Sequence, residues 1–325
     1  MKLRIIKFLE DHRGEFISGE LLANQLGITR AGVWKNILSL RQDGYKIKSV
    51  PKRGYMLEND SDLLTEEGIK ANLNLNSKIT KIICLDKIDS TNNYAKKLAL
   101  QNADNGTLIV ANSQTGGRGR QGHKFISPPG TGLYMTLILR PSVNISEFQM
   151  ITIAAAVSVC RSIEDLCGET GITKIKWVND IYMRERKISG ILTEAVTNFE
   201  NGEIESVVTG IGINVTTENF NESAGNAGSI FEAGNKIKFT RNKLAARISD
   251  YLINYAEDLS NPEIINFYRD RSFLIGHDIT YMKNNLQSFG HVISIDEYGG
   301  LEIINNSGEK EILRSGEVFT VRKND

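Results

Sequence analysis

The stretch Gln114–Gly122, Gln-Thr-Gly-Gly-Arg-Gly-Arg-Gln-Gly, sets the narrowest limits on what this chain can fold into. Four glycines surround two arginines directly after the apolar, β-rich run Thr107–Ala111. Glycine lets a backbone turn through φ > 0 and come close to a bound group. Successive amides in such a turn can face an anion, and guanidiniums add fixed charge and planar donors. The combination suits an anionic ligand held against main chain. Gly117, Gly119 and Gly122 also satisfy G-x-G-x-x-G, but that fingerprint needs a helix next and an acidic residue about 20 positions on. Here Ser127-Pro128-Pro129-Gly130-Thr131-Gly132 leads into another β-like run, Leu133–Leu139, and no Asp or Glu lies between Gly122 and Glu147. A Rossmann unit is excluded. With no Gly-Lys-Ser/Thr in the chain, so is a Walker loop. A plain flexible hairpin would explain the glycines but not two arginines among them.

A chain of 325 residues has room for two or three domains with sizeable cores. Its three cysteines (Cys84, Cys160, Cys167) form no C-x-x-C pair, which argues against a disulfide framework or zinc site. The N-terminus lacks a signal-peptide pattern, and no run approaches the ~18 apolar residues of a membrane span. A cytoplasmic protein with no membrane partner is expected. Net charge is zero overall but uneven: residues 1–58 hold eleven Lys/Arg against six Asp/Glu. A basic end on a neutral chain points to a polyanion partner for that end alone.

That basic end reads as three helices: residues 2–11, a second capped by Ser18 and ended by Gly27, and a third capped by Thr29 and running to about Gln42. At 100° per residue, Val33, Trp34, Ile37 and Leu40 fall on one side of the third helix. Gly32, Lys35, Asn36 and Ser39 fall opposite, with Arg30 in the first turn. Tyr45–Val50, Pro51-Lys52-Arg53-Gly54 and Tyr55–Leu57 then read as a hairpin with a basic tip. Helix-turn-helix plus hairpin is a winged helix. DNA binding through Thr29, Arg30, Gly32, Lys35, Asn36, Ser39, Lys52 and Arg53 outweighs a merely solvated face. The acidic run Glu58–Asp62 marks a boundary.

Beyond it, a short helix over 63–72 and a strand over Lys81–Asp86 precede Asp89-Ser90-Thr91-Asn92, which opens a helix. Ser90 and Thr91 can simply cap it, or the same helix end can hold a polar ligand head. A helix over Ser146–Cys167 follows the glycine loop and its second strand. Lys174–Met183, Lys187–Glu194 and Ile204–Val215, with a turn at Asn198–Gly202, read as an antiparallel meander. Residues 216–239 form a long, Asn/Gly/Ser-rich loop expected to be mobile. Helices over Leu244–Leu259 and Glu263–Tyr268 precede short β-runs from Gly276 to Arg322 that suggest a small barrel.

Across nearly its whole length the chain resembles the bifunctional biotin–protein ligases that double as repressors of biotin synthesis genes. The resemblance rests on Asp89-Ser90-Thr91-Asn92, the Gln114–Gly122 loop, Lys176-Trp-Val-Asn-Asp180, Arg186-Lys187-Ile-Ser-Gly190-Ile-Leu and Gly210-Ile-Gly-Ile-Asn214, with the winged helix marking the repressor subclass. Val178 stands where the family often has proline, and Phe125 where it often has tryptophan. Both departures are expected to alter loop stiffness rather than reaction type.

The resemblance implies an α+β multidomain fold. A winged helix occupies 1–60, a central mixed α/β ligase domain with a largely antiparallel sheet 61–271, and a small SH3-like β-barrel 272–325. It implies that biotin's carboxylate attacks the α-phosphate of ATP, giving biotinyl-5′-AMP and pyrophosphate. A lysine of a biotin carboxyl carrier protein (of acetyl-CoA carboxylase) then takes the biotinyl group. Two unit charges ~4 Å apart repel by about 4 kcal/mol at an effective dielectric near 20, so fixed cations are needed at the reacting centre.

By resemblance Ser90, Thr91, Asn92, Gln114, Arg118, Gly119, Arg120 and Lys187 surround biotin. Gly117, Arg118, Arg120, Lys176, Trp177, Asn179, Asp180 and Asn214 lie on the adenylate side. Lys187, Arg120 and Asp180 are the expected catalytic residues, Asp180 either orienting a cation or accepting from the incoming amine. Mg²⁺ is expected on the ATP phosphates rather than in a protein metal site. Operator DNA and a second copy of the chain are the further partners, with the Lys187–Glu194 strand a candidate pairing edge. Two readings compete: a lipoate–protein ligase, and a ligand-sensing repressor without turnover.

Overall fold

The structure, a computed structural model, describes every residue except 142–146, 198–202, 221–224, 233–236, 284–285 and 321–325. The expected Asn198–Gly202 turn, the first residue of the expected Ser146–Cys167 helix and parts of the 216–239 loop lie outside the described residues.

The N-terminal helices are α1 (Lys2–Asp11), α2 (Gly19–Leu26) and α3 (Arg30–Gln42). Each boundary follows from a local backbone need. Ser18 Oγ accepts from Leu21 N–H and Thr29 Oγ1 from Gly32 N–H, each at 3.0 Å, satisfying amides that have no partner within the helix. Gly27 takes the left-handed conformation (φ 65°) that closes α2. Strands β1 (Ile47–Val50) and β2 (Gly54–Leu57) pair antiparallel around the Pro51–Arg53 tip, and Ile17 makes a single antiparallel bridge to Tyr55. Ile5, Ile6, Leu9, Leu22, Val33, Ile37, Leu40 and Leu57 fill the winged-helix core. Trp34 is a correction: it does not join Val33, Ile37 and Leu40 inside but is 57% exposed. It sits about 90° from the centre of that stripe, at the margin of the apolar arc.

A second core is built on a seven-stranded sheet. Its strands are β3 (Lys81–Ile88), β4 (Thr107–Gln114), β5 (Gly132–Leu139), β6 (Lys174–Lys176), β7 (Asp180–Met183), β8 (Arg186–Thr197) and β9 (Ile204–Asn214), in the order β3-β4-β5-β9-β8-β7-β6. Only β3 and β4 run parallel, because helix α5 (Thr91–Leu100) crosses over between them. Alternate residues of each strand face opposite sides. Leu108, Val110, Met135, Leu137, Ile211 and Ile213 join the apolar cluster built with helices α6 (Phe148–Cys167) and α7 (Arg241–Tyr255). Ile109, Ile138 and Val208 face the other way, against Ala95 and Ala99 of α5. The expected Lys187–Glu194 edge is covered at its start, since β8 lies between β9 and β7. Pairing with β7 stops at Gly190. From Ile191 on, no strand among the described residues covers β8's outer side.

Helix α4 (Glu66–Asn72) joins the two units, with Ala71 in the winged-helix core and Ile69 in the larger one. Buried Arg241 fastens this joint, donating to Asp62 Oδ2 (2.7 Å), Asp62 O (2.8 Å), Asn112 Oδ1 (3.0 Å) and Gly132 O (3.1 Å). After helix α8 (Pro262–Arg271), strands β10 (Asp278–Lys283), β11 (Leu286–Ile295), β12 (Leu301–Asn305), β13 (Lys310–Leu313) and β14 (Val318–Thr320) make an all-antiparallel sheet. Its order, β13-β12-β11-β10-β14, does not close on itself among the described residues, so the expected barrel is present as an open five-strand sheet. Among the described residues no helix is long and apolar enough to cross a membrane.

Glu164 ties α6, α8 and the lead into β6 together. It accepts from Arg271 Nε (3.0 Å) and Nη2 (2.8 Å) and from Thr173 Oγ1 (2.7 Å). Burial works to raise the Glu164 carboxyl, but the Arg271 and Thr173 hydrogen bonds outweigh it and hold the group below its ordinary value of 4.5. A carboxyl depressed in the fold stabilises above its unfolded pKa and loses that contribution as pH falls through the folded one. Glu164→Gln is therefore expected to cost about 2 kcal/mol at pH 7. In urea unfolding series its deficit should shrink steadily as pH drops below 4.5.

Candidate active site

Sheet register lays out a cleft on the α5 face. Opposite residues of paired strands share a face, so one row reads Tyr134–Gly212–Gly190–Asp180–Lys176 across β5, β9, β8, β7 and β6. The next row reads Ile109–Thr136–Gly210–Leu192, and the third Thr107–Ile138–Val208–Glu194. Glycine at 190, 210 and 212 leaves the floor without side chains. The resulting cleft is lined by Ser90, Thr91, Asn92, Gln114, Arg118 and Phe125 above Gly190, Leu192 and the Gly210–Gly212 strand. A Cβ on Gly210 would run into the Asn92 amide, and one on Gly212 would meet the Phe125 ring at 2.6 Å.

Polar groups crowd one end. Gln114 Oε1 accepts from Thr91 N–H (2.9 Å), so a side chain from β4 caps α5, and Gln114 Nε2 donates to Ser127 Oγ (2.9 Å). Ser90 occupies the N-cap position but makes no capping hydrogen bond. Its buried hydroxyl is not spent on the helix, which disposes of capping as its explanation. The Thr136 hydroxyl lies 2.8 Å from the Thr91 hydroxyl and 2.7 Å from Asn92 Oδ1.

Cations mark the other end. A β-bulge between Ile181 and Tyr182 in the β7–β8 pairing shifts the alternation by one residue, and Lys187 comes to the same side as Asp180. Their ion pair closes at 2.7 Å. The second oxygen, Asp180 Oδ1, is buried with no partner. Arg120 Nη1 donates to Asn179 Oδ1 (3.2 Å), and Asn179 Nδ2 donates to Ile191 O (2.9 Å). Lys176 Nζ lies 5.0 Å from the Phe319 ring centre. Burial pushes its ammonium below the ordinary lysine value, with Asp180 partly offsetting this.

The glycine–arginine loop is folded back as a narrow hairpin rather than an open cradle. Phe125 N–H donates to Gly117 O (2.9 Å) and Gly119 N–H to His123 O (2.7 Å), so the Gly119 amide is already spent. Gly117 is required by space, since a Cβ there would strike Phe125 O. Gln121 and Gly122 turn the tip through positive φ (51° and 79°). Arg118 and Arg120 leave the loop in different directions, Arg118 toward Asn93 Oδ1 (3.0 Å) and Arg120 toward Asn179.

Two expected adenylate residues have other partners here. Trp177 is buried in the main core, its indole N–H donating to Gly299 O (2.8 Å), and so does not face the cleft. Asn214 holds the described part of the 216–239 loop: its Nδ2 donates to Gly228 O (3.1 Å) and its carbonyl accepts from Ile230 N–H. Lys187 pins the same segment through Asn226 and Gly228. Missed by sequence reasoning were Leu192 and Gly212 as cleft-lining residues and, two positions further along β8, Glu194, which holds Asn92 and Arg118. Alternation along β8 and β9 from Gly190 and Gly210 would have found them.

In the winged helix, Arg30, Lys35 and Lys52 are exposed and enter no ion pair among the described residues. Arg53 stacks on Phe16 at 4.1 Å, and Asn36 Nδ2 turns back to Gly32 O. Thr29 Oγ1 is committed to its cap, Gly32 lies beneath it, and Ser39 is half-buried.

The chain thus joins a winged helix to a mixed sheet whose glycine-floored cleft has cations along its rim. Residues 84–214 match the biotin/lipoate A/B protein ligase family and residues 2–56 match an HTH domain. The bifunctional ligase/repressor BirA of Salmonella typhimurium is 30% identical over 322 residues, covering 97% of this chain and 96% of that one. Its Bacillus spizizenii counterpart is 40% identical over 214 residues, a match spanning 65% of that relative's length. Among solved structures, the biotin protein ligase from Aquifex aeolicus in complex with biotin and ATP superposes with a TM-score of 0.60 at 27% identity, over 75% of this chain and 100% of that one. The chain belongs to the biotin/lipoate A/B protein ligase family, in its bifunctional ligase/repressor branch.

Gly210→Ala should force the Asn92 amide aside and cost about 2 kcal/mol. Gly190→Ala, whose Cβ meets nothing nearer than 3.6 Å, should cost little. Equal urea midpoints for the two variants would refute this account of the floor.

Proposed function

We propose that the chain activates biotin with ATP to biotinyl-5′-AMP and transfers it to a lysine of a biotin carboxyl carrier protein. We propose further that the adenylate-loaded form represses transcription through the winged helix. The observation that carries this reading is the Lys187–Asp180 pair, 2.7 Å apart in the sheet row that continues as the glycine floor.

On this reading Ser90, Thr91, Asn92, Gln114 and Arg118 take the ring end of biotin, with Gly119 in the loop above. Arg120 and Lys187 flank its carboxylate and the α-phosphate, where negative charge collects. Preorganised cations lower that barrier because they need no reorganisation during the step. Lys176, with Gly117, Asn179, Asp180 and Asn214, borders the nucleotide. A phosphate beside Lys176 would offset the burial that depresses its ammonium. Trp177 supports this side from below. Mg²⁺ would be carried on the ATP phosphates, with the unpartnered Asp180 Oδ1 as the oxygen to hold it. Bound there, Mg²⁺ would neutralise phosphate charge. In the second step a carboxylate at Asp180 is also placed to accept from the lysine amine.

Thr29, Arg30, Gly32, Lys35, Asn36 and Ser39 form the proposed groove-reading face, and Lys52 and Arg53 the phosphate contacts of the wing. A homodimer through the uncovered half of β8, from Ile191, would set two such readers on a palindromic site. The functional division is a reader over 1–60, a catalyst over 61–271 and a cover over 272–325, in the cytoplasm.

Incubation with ATP, Mg²⁺ and either biotin or lipoate, with pyrophosphate and acyl-adenylate mass as readouts, tests the chemistry. Biotin-dependent product is expected; product with lipoate alone, or none, overturns the reading. Lys187→Ala and Arg120→Gly should each slow adenylate formation by about a hundredfold or more, with circular dichroism unchanged. In gel shifts on the promoter of the chain's own biotin genes, biotin plus ATP should tighten binding. By linkage, DNA should strengthen self-association equally. Unchanged DNA affinity would remove the corepressor role.

A further inference from the structure

Glu194 is not among the residues that line the cleft, yet its carboxylate holds two that are, Asn92 and Arg118. It lies four residues along β8 from Gly190, in the third sheet row, so about 13 Å from the Asp180 row. Its side chain is only 16% exposed. Oε2 accepts from Asn92 Nδ2 at 3.0 Å, while Oε1 lies 2.6 Å from Lys96 Nζ and 3.2 Å from Arg118 Nη2. Asn93 Oδ1 takes the other arm of the same guanidinium. Arg120, only two residues from Arg118, is instead tied to Asn179 beside the Asp180 row.

We propose that Glu194 is a positioning residue that separates the two loop arginines: it anchors Arg118 and the Asn92 amide at the ring-binding end of the cleft, leaving Arg120 to the reacting end. The inference rests on the ligase reading and assigns the determinant of biotin affinity within it.

The chemistry requires a carboxylate. Both oxygens must act as acceptors, one toward an amide N–H and the other toward two cations. A carboxylate is acceptor-only, whereas glutamine offers one acceptor and one donor. The Glu194→Gln change would therefore turn an N–H₂ toward either the Asn92 amide or the cations. Asn92 has little freedom to respond: its Nδ2 also donates to Leu192 O (3.0 Å), its Oδ1 faces Thr136, and Gly210 leaves room for nothing larger beneath it. Burial opposes ionisation of Glu194, but hydrogen bonds from Lys96 and Asn92 and the charges of Lys96 and Arg118 hold its carboxyl below the ordinary range.

Steady-state pyrophosphate release by the full chain, titrating biotin and ATP separately, tests this with Glu194→Gln, Glu194→Asp, Arg118→Gln and the Glu194→Gln/Arg118→Gln double variant. Glu194→Asp keeps the charge but withdraws it by one methylene, so it covers the case in which Glu194→Gln does not fold. The biotin KM should rise about tenfold in both Glu194 variants, with the ATP KM within about twofold. The double variant should raise the biotin KM by clearly less than the product of the two single-variant increases, because the Arg118 part of the Glu194 effect is counted only once while the Asn92 part remains. A wild-type biotin KM in both Glu194 variants, an effect confined to kcat or to ATP, or fully additive losses in the double variant would overturn the proposal. Wild-type turnover alongside any of these outcomes defeats this inference alone. Absence of biotin-dependent turnover in the wild-type chain defeats the ligase reading and this inference with it.

Discussion

Antiparallel registration of β5, β9, β8, β7 and β6 is the constraint on which the rest of this molecule depends. It sets Gly212 opposite Gly190, Gly190 opposite Asp180 and Asp180 opposite Lys176. A floor without side chains thus runs directly into a cluster of charge. A slip of one residue would turn these groups into the apolar core and bring Ile191, Ile211 and Ile213 out. The large core against α6 and α7 therefore enforces the geometry of the cleft on the sheet's opposite face. The bulge in the β7–β8 pairing is the one local break in that rule, and it is what brings Lys187 onto the side of Asp180.

Each site cation is held by a fixed neighbour. Lys187 rests on Asp180, Arg120 on Asn179, Arg118 on Glu194 and Asn93, and Lys176 on the face of Phe319. Partly exposed contacts of this kind, the Lys187–Asp180 and Arg118–Glu194 ion pairs included, contribute little to folding. Their value is directional: they hold long side chains in one orientation, so little further ordering is needed when an anion arrives. The buried, unpartnered Asp180 oxygen is the exception. It costs stability in the isolated chain and would recover it on meeting a cation or a donor.

The cleft also communicates by contact with the rest of the chain. From the N-terminal side, Arg241 joins Asp62 to Asn112 and Gly132, at the ends of the strands that carry Gln114 and Tyr134. From the C-terminal side, Gly299 receives Trp177 and Gln149, Phe319 covers Lys176, and Glu317 meets His123 of the arginine loop at 3.0 Å. The C-terminal sheet is thus docked beside Lys176 and the arginine loop, and its buried residues Ile279, Val292 and Ile303 are continuous with the central core.

What the sequence by itself determined is what short-range chemistry controls. Ser18, Gly27 and Thr29 bound their helices because capping acts over three or four residues. The glycines of 114–122 forced a tight turn between strands, and the absence of a following helix excluded a nucleotide fold of another kind. The quoted stretches around Ser90, Arg118, Asn179, Lys187 and Gly210 do converge on one face. What only the tertiary structure decided was each partner across long separations. Examples are Glu194 with Arg118, Trp177 turned into the core, Asn214 spent on Gly228, Trp34 left in solvent and the first half of β8 enclosed. These depend on strand order and register, which arise from burying the whole sheet at once. No local run of residues carries that information.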